Sequence, residues 1–318
     1  MGTYITRRLI QSVIVILIVT LFVFFGMRLL PGDPIYMLYN FDQLKTFTEE
    51  EIDQLRHEAG LDKPLFTQYF DWLGNVFKGD LGSSVLTKRP ISIELKKRIP
   101  VTAYIGVWAF LVSIFVGIPA GIISAIRRGS WLDTLVTTVA NLGITVPIFW
   151  LGIMLMWLFA VHWKILPVMG FTSPFTDFWL STKQLVMPVF CMCIFAVAGN
   201  ARLARSSMLE VLRQDYVRTA WSKGLTERAV IVKHVLKNSL IPIVTMAGMG
   251  IAGIIGGSVL IEQVFNIPGM GRLAVDSLFQ HDYPYVQGIT LVMTAVIVAS
   301  NLLVDLSYGW LDPRIRYN

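Results

Sequence analysis

Charged residues are scarce in this sequence. Only 15% of its 318 residues are Asp, Glu, Lys or Arg, whereas 54% are hydrophobic and the mean hydropathy is +0.62. A soluble domain usually carries about a quarter charged residues, so this chain has too few to cover a surface that faces water. The composition therefore excludes an ordinary soluble protein and favours an integral membrane protein.

Cysteine is also scarce, and two residues of this type exclude a disulfide-stapled scaffold. Cys191 and Cys193 lie two apart in an apolar segment, so we expect them to point to different faces of a helix and not to share a metal ion. The four histidines are scattered, without a His-Glu-x-x-His motif, and no Gly-x-x-x-x-Gly-Lys-Ser/Thr loop occurs. The sequence therefore predicts no catalytic residues, no metal site and no cofactor bound by this chain, which we expect not to be an enzyme.

Long uncharged runs are what the sequence does contain. About 20 apolar residues are needed to cross the ~30 Å hydrocarbon core of a bilayer. Six segments approach or exceed that length with at most one charge, namely 9–30, 101–126, 135–161, 185–201, 239–261 and 286–304. The segment 185–201 is the shortest and carries Pro188 and Asn200. The pattern predicts an all-α integral membrane protein with six transmembrane helices.

The first apolar run could be a signal peptide or a transmembrane span. A secretory signal peptide has an apolar core of roughly 7–15 residues followed by a small-residue cleavage site. The run 9–30 is longer than that and lacks such a site, so we expect it to be retained as the first span.

Basic residues predict the orientation of the spans. With the N-terminus inside, the inside segments hold 14 Lys and Arg residues, against 3 in the two short outside loops. Short loops rich in Lys and Arg face the cytoplasm. We therefore expect both termini in the cytoplasm, and we attribute the net charge of +6 to topology and not to nucleic-acid binding.

The long loop after the first span has helical patterns. Thr48 and Glu51 form a capping-box pattern, and Gly60 predicts the end of a short helix. A second set of apolar residues then recurs at helical spacing: Phe66, Tyr69, Phe70, Leu73, Val76 and Phe77. This face would lie on the membrane interface or pack on the outer ends of the spans, and a small packed cap without a ligand role is the simpler interpretation.

The loop 202–238 is too polar to be a span, and its helix-forming residues are not typical of a flexible linker. The segment 206–223 has good helix formers without Gly or Pro, Gly224 interrupts it, and 226–238 resumes helical character. We therefore predict a helix–break–helix hairpin in the cytoplasm. Charge alone indicates only topology and attraction to lipid, but the break between two helices favours a docking element.

Glycines are concentrated in two spans. Gly117 with Gly121, and Gly253 with Gly257, have the spacing of close helix contacts. The span 239–261 carries five glycines, which suit either tight packing or the lining of a path. The candidate packing or path residues are Gly117, Gly121, Gly248, Gly253, Gly256 and Gly257.

Several motifs together resemble a known family. Residues 205–225 read RSSMLEVLRQDYVRTAWSKGL, and further motifs are PGDP at 31–34, GLDKP at 60–64, GDLG at 79–82, VPIFWLG at 146–152, PGMG at 268–271, DYP at 282–284 and DPRIR at 312–316. In this order, and with six spans, they resemble the dipeptide and oligopeptide permeases of binding-protein-dependent ABC importers. The chain is most similar to the first of the two paired permeases in such systems.

The chain departs from the general importer signature in the cytoplasmic loop. With Gly224 as the anchor, Arg218, Thr219 and Ala220 occupy the positions of the signature Glu-Ala-Ala. The closing Pro242 lies 18 residues after Gly224, which is farther than in the general signature. Arg218 therefore cannot take the role of the acidic residue.

The resemblance implies a type I ABC importer transmembrane fold with a mainly helical extracytoplasmic loop between its first two helices. Its implied parts are an N-terminal tail and first helix (1–30), the extracytoplasmic loop (31–98), the transmembrane domain (99–308, with the coupling loop 202–238) and a cytoplasmic tail (309–318). The residues expected to couple to the ATPase are Glu210, Asp215, Arg218, Thr219, Ala220, Gly224 and Leu225.

The resemblance also implies partners and a location. These are a second homologous permease, an extracytoplasmic solute-binding protein and two ATPase subunits that bind ATP and Mg²⁺, in the inner membrane of a bacterial or archaeal cell. Peptides are the expected solute, and a nickel chelate or another small solute is the alternative. A secondary transporter and a membrane scaffold are the rival classes. The first commonly needs ionisable groups inside the membrane, of which this sequence offers few.

Overall fold

The computed structural model describes residues 2–29, 48–58, 60–84 and 86–311. The motifs at 31–34 and 312–316 lie outside the described residues. In this part of the chain the regular structure is helical, and an isolated bridge pairs Ser83 with Pro90. The predicted all-α class is therefore confirmed.

The α-helices of the described part begin and end as follows: α1 Gly2–Arg28, α2 Glu49–Glu58, α3 Leu65–Phe77, α4 Ile91–Val112, α5 Ile118–Ile126, α6 Trp131–Thr145, α7 Ile148–Leu155, α8 Phe178–Leu212, α9 Asp215–Ser222, α10 Glu227–Val230, α11 Lys237–Val264, α12 Met270–Phe279 and α13 Tyr283–Leu311. Three π-helical turns continue α4, α7 and α10, at Ser113–Gly117, Met156–His162 and Ile231–Leu236.

The described helices include several that can cross a membrane. Four are long and apolar enough by themselves: Ile5–Arg28, Ile91–Ile126, Phe178–Leu212 and Tyr283–Asp305. A fifth candidate is the pair Trp131–Thr145 and Ile148–His162, which bends by 104°. The bend lies at Pro147. Val146 is extended there, because proline disfavours helical geometry in the residue that precedes it. The chain is a multi-pass membrane protein.

Helix α8 lies at the centre of the bundle. It is 35 residues long and contacts α4, α5, α6, α7 and α11. The shortest predicted span therefore belongs to the longest helix of the described part. Its Asn200 is buried and donates from Nδ2 to the carbonyl of Ser113, at 3.2 Å, in the π-helical turn. A polar residue is tolerated there because it satisfies a backbone group inside the protein.

The two cysteines lie in the hydrophobic core of the bundle. Cys191 and Cys193 are both buried, although they are two residues apart. Since helices surround α8 on several sides, different faces of it are buried at once. In a helix that is surrounded by others, residues on different faces can all be buried. In a surface helix, only one face would be buried.

Helices α5 and α8 pack closely at two predicted glycines. A Cβ added to Gly117 would lie 2.8 Å from the carbonyl oxygen of Val197. A Cβ on Gly121 would overlap the carbonyl oxygen of Ala201 and come within 2.7 Å of the Ala204 Cβ. The backbones approach this closely only because no side chain intervenes, so these two glycines lie at a packing contact.

Gly121→Ala is expected to lower the stability of the folded chain. The added methyl group has no space against the α8 backbone, and overpacking of this kind costs about 1–3 kcal/mol. The melting temperature of the purified chain in detergent measures the effect. Gly199→Ala is the matched control, because a Cβ at that α8 position meets nothing within 4 Å. An unchanged melting temperature for Gly121→Ala would contradict the tight α5–α8 contact.

The loop after α1 contains the predicted short helices. The Glu51 carboxylate accepts from the Thr48 backbone N–H at 2.8 Å, and Gly60 ends the turn after α2 at φ +63°. Helix α3 then packs beside α1, where the hydroxyls of Tyr69 and Thr20 lie 3.0 Å apart. The predicted apolar face of α3 is divided, because Tyr69 is buried while three phenylalanines stay largely exposed: Phe66, Phe70 and Phe77.

Candidate functional site

The predicted hairpin at 202–238 contains a short helix held between two breaks. The second break lies at Gly224, as the sequence predicts, at φ +76°. The expected continuous helix over 206–223 was wrong, because α8 ends at Leu212 and α9 begins at Asp215. Gln214 between them is extended, and Asp215 supplies a negative charge to the first turn of α9. Without Gly or Pro at this position, the sequence offered no signal for the first break.

Helix α9 is amphipathic, and its apolar face is buried within the chain. Val217 and Ala220 are buried against a cluster from the ends of α5 and α8 and the segment after α9, made of Ala125, Met208, Val230 and Val235. Ala220 therefore anchors α9 to its own chain. This packing fixes the helix against the ends of the long helices.

The other face of α9 is open. Five of the predicted coupling residues are exposed on it or beside it: Asp215, Arg218, Thr219, Gly224 and Leu225. Arg218 lies 3.8 Å from Asp215 in an exposed ion pair. Glu210 is exposed near the end of α8. Apart from Ala220, the predicted coupling residues are thus accessible.

Gly224 is required for its backbone conformation. A close contact within this chain does not require it. A Cβ at this position would meet nothing within 4 Å, and the residue is exposed. Its positive φ disfavours most side chains by roughly 1–2 kcal/mol. Its N–H donates to the Trp221 carbonyl at 2.9 Å and closes the turn.

A partly buried ion pair joins Arg205 of α8 to Asp133 of α6. Asp133 accepts from Arg205 twice, at 2.7 Å and 2.9 Å, and also from Ser124 Oγ at 2.5 Å and from the Gly129 N–H at 3.0 Å. These contacts tie α5, the following turn, α6 and α8 together. Sequence reasoning treated Arg205 as a topology charge and missed Asp133. A lone carboxylate at the start of an apolar segment was the available signal.

A second buried carboxylate lies at the opposite end of the long helices. Glu262 of α11 is fully buried and accepts from Thr102 Oγ1 of α4 at 2.7 Å and from the Arg272 N–H of α12 at 2.9 Å. Ser258 and the Gly271 N–H also donate to it. Glu262 directly follows the uncharged run 239–261, and the sequence gives no signal for this role because the partners come from distant segments.

Two glycines of α11 do not show the close packing found at Gly117 and Gly121. A Cβ at Gly250 or Gly256 would meet nothing within 4 Å. Gly248, Gly253 and Gly257 lie where only the helix backbone is described. At Gly250 and Gly256, at least, close packing within this chain does not explain the glycine.

Two family models match the chain. The model for the inner membrane component of binding-protein-dependent transport systems covers residues 117–317. The model for the N-terminal part of such membrane components covers residues 1–106. Between them the two matches account for most of the sequence.

Full-length relatives are similar throughout. A Brucella abortus protein whose name assigns it to a peptide transport system is 41% identical over 321 residues, covering 100% of both chains. The oligopeptide permease AppB of Bacillus subtilis is 36% identical over 320 residues, again covering 100% of both. The dipeptide permease DppB of Escherichia coli is 37% identical over 337 residues, covering 99% of this chain and 98% of DppB.

The fold has counterparts among solved structures. Two inward-facing structures of the MetNI methionine ABC transporter match with TM-scores of 0.56 and 0.57. Each covers 69% of this chain and 96% of the transporter chain, at 16% and 15% identity. At this identity the likeness shows the fold alone.

Proposed function

The chain belongs to the family of binding-protein-dependent transport system inner membrane components, and we propose that it forms half of the solute path of an ATP-driven peptide importer. The observation that carries the proposal is α9, which is seated on the ends of the long helices and leaves its polar face and Gly224 exposed. The peptide as solute is supported by the names of the full-length relatives.

The proposed mechanism uses α9 as a rigid connector. An external binding protein would deliver the solute, and two partner ATPase subunits would bind ATP and Mg²⁺ and close. The exposed residues of α9 and Gly224 would dock on an ATPase subunit, while Val217 and Ala220 hold the helix to its own chain. Movement of the ATPase would then reach α8 directly and α11 through the π-helical turn Ile231–Leu236, since packed helices shift as rigid bodies.

The proposed architecture has six spans. Helix α11 has 28 residues, roughly 42 Å at 1.5 Å per residue, which exceeds the ~30 Å hydrocarbon core. Added to the four long helices and the bent pair, it completes the predicted set. We retain the division into 1–30, 31–98, 99–308 and 309–318, with both termini in the cytoplasm.

The proposed assembly requires a second, homologous permease. Gly250 and Gly256 make no close contact within this chain, which suits a helix that faces a shared path or a partner. Import by this chain and the ATPase subunits alone would exclude that requirement.

The experiment that tests the function is reconstitution of the complex. The chain, a homologous permease encoded with it, the ATPase subunits and the binding protein would be purified together and placed in liposomes. ATP-dependent accumulation of a labelled dipeptide supports the proposal. Peptide-stimulated ATP hydrolysis also separates an importer from a secondary transporter or a scaffold. Accumulation of a nickel chelate but not of peptides would favour the alternative solute.

Single-cysteine labelling of intact cells is expected to show a cytoplasmic α9 and an outside α3. Ser222→Cys should be protected from an impermeant thiol reagent, and Asn75→Cys should react, because both positions are exposed on opposite sides of the proposed membrane. The natural cysteines are buried and give little background. Labelling at 222 without labelling at 75 would invert the topology.

A further inference from the structure

A polar pocket of about 240 Å³ lies at the start of the Ile91–Ile126 helical path, whose other end contacts α9. It is formed by the segment before α4, the first turns of α4, helix α12 and the start of α13. The helical path from Ile91 to Ile126 has 36 residues, roughly 54 Å long, and its far end reaches the α9 cluster through Ala125. The pocket therefore opens on the side from which the proposed importer would receive its solute.

Charges of both signs line this pocket on separate elements. Arg89 and Arg98 line it together with Glu94, from the start of α4 and the residues just before it. Asp276 of α12 and Asp282, just before α13, supply carboxylates on the other elements. The guanidinium groups thus come from the α4 side alone, whereas carboxylates lie on both sides, so a ligand that carries both charges finds an opposite charge on each side.

One carboxylate of the pocket is held in place by the fold, whereas its arginines make longer contacts. Asp282 is 2% exposed and accepts from Ser84 Oγ at 2.5 Å, so it is held by the fold. Arg98 lies 3.7 Å from Glu94, and Arg89 lies 3.9 Å from it. Both distances are longer than a charge-assisted hydrogen bond, so a ligand carboxylate can compete with Glu94 for the guanidinium groups.

A separate apolar cavity lies farther along α4, α12 and α13. It also measures about 240 Å³ and is lined by Ala103, Gly106 and Phe110 of α4, Val292 and Val296 of α13, and Met270 of α12. On α4 these residues follow Glu94 and Arg98 by one to four turns, and on α13 they follow Tyr285 by about two. The polar pocket and the apolar cavity are thus separate sites, and the charged side chains belong to the first of them.

We infer that this polar pocket binds a short peptide with free termini on its way into the path. The peptide carboxylate pairs with Arg98 and Arg89. Its ammonium group pairs with Asp276, which also lies 3.5 Å from Arg272, and the buried Asp282 adds negative charge beneath it. A dipeptide extends for about 7 Å and fits a pocket of this size. The inference rests on the proposed function, which supplies the peptide as solute.

Protection of an engineered cysteine tests the inference on the assembled transporter. Gln280 lines the pocket and is exposed, so Gln280→Cys should react with an impermeant thiol reagent. Free Gly-Leu is expected to slow that reaction, and N-acetyl-Gly-Leu-amide, which lacks both charges, is not. The control Asn75→Cys lies on α3, away from the pocket, and should be unaffected by either compound.

Charge variants in the Gln280→Cys background identify the contacts. Arg98→Ala is expected to raise the Gly-Leu concentration for half-protection about tenfold, which corresponds to the loss of one charge-assisted hydrogen bond. Asp276→Asn should act in the same direction. Lys97→Ala is the matched control, because Lys97 neighbours Arg98 and lies 3.4 Å from Glu94 but does not line the pocket.

The outcomes separate this inference from the proposed function. ATP-driven Gly-Leu uptake without protection of position 280, or equal protection by the blocked peptide, would overturn the pocket. Protection without uptake would support the pocket and remove the importer function. If Arg98→Ala and Asp276→Asn both left the half-protecting Gly-Leu concentration unchanged, the assigned contacts with the peptide termini would be wrong.

Discussion

Gly224→Asp is expected to abolish ATP-driven uptake while the chain still folds and enters the membrane. Within this chain the new side chain has free space, since nothing lies within 4 Å of the Cβ position. Aspartate is also among the residues that best tolerate positive φ, so the local cost is about 1 kcal/mol. On the proposed ATPase-docking surface, however, the carboxylate would lose its hydration without a partner, which is strongly unfavourable.

The same substitution at Gly60 separates an effect on ATPase docking from an effect of backbone strain. Gly60→Asp introduces the same side chain at φ +63°, again with nothing within 4 Å, but on the loop between α2 and α3. It should leave uptake and ATPase capture unchanged. Lys237→Ala, exposed and farther along the chain, should also do little. Uptake, pull-down of the ATPase and membrane expression are measured for each variant, and normal uptake by Gly224→Asp would reject the coupling role.

Ala220 is not equivalent to Gly224 as a test position. The sequence suggested that both would contact the ATPase, but Ala220 is 5% exposed and packs against Met208 and Val217 of its own chain. Glutamate at 220 would bury a charge in that cluster and loosen α9 itself. Loss of uptake by Ala220→Glu would therefore report on internal packing, whereas Leu225→Glu, on the exposed side, probes the surface.

Local patterns predicted the features that depend on local physics. Uncharged runs predicted the long helices because a span must satisfy its backbone within the lipid. The Thr48–Glu51 capping box and the breaks at Gly60 and Gly224 were readable because each depends on one or two neighbouring residues. The family resemblance then supplied what no local pattern contains, namely partners and direction of transport.

The features that were missed all depend on residues far apart in the sequence. Glu262 and Thr102 are 160 positions apart, and Asp133 and Arg205 are 72 apart. The residues next to Glu262 in the sequence do not show whether its carboxylate is a buried hydrogen-bond acceptor or is solvated at the end of a transmembrane helix. The break before Asp215 was missed for a related reason, since buried contacts of Val217 and Ala220, and not a helix-breaking residue, accompany the turn of the chain.

Loss of the Glu262 carboxylate is expected to have the second large effect, this time on folding. Glu262→Ala would leave the Gly271 and Arg272 N–H groups, in the first turn of α12, without their acceptor, and would open a cavity beside Thr102. A buried donor without a partner costs about 1–3 kcal/mol. We expect a lower melting temperature, less folded protein in the membrane and faster hydrogen exchange across Met270–Phe279.

Glu262→Gln refines this prediction because it keeps the shape and removes only acceptor capacity. The hydroxyls of Thr102 and Ser258 can rotate to the amide oxygen, but the two backbone N–H groups are fixed, and the amide NH₂ would face one of these donors. Its effect should therefore lie between those of the wild type and Glu262→Ala. Glu50→Ala, an exposed carboxylate on α2, is the control and should leave stability unchanged. If Glu262→Gln matched the wild type in both melting temperature and hydrogen exchange, the carboxylate would not be what holds α12 to α4 and α11.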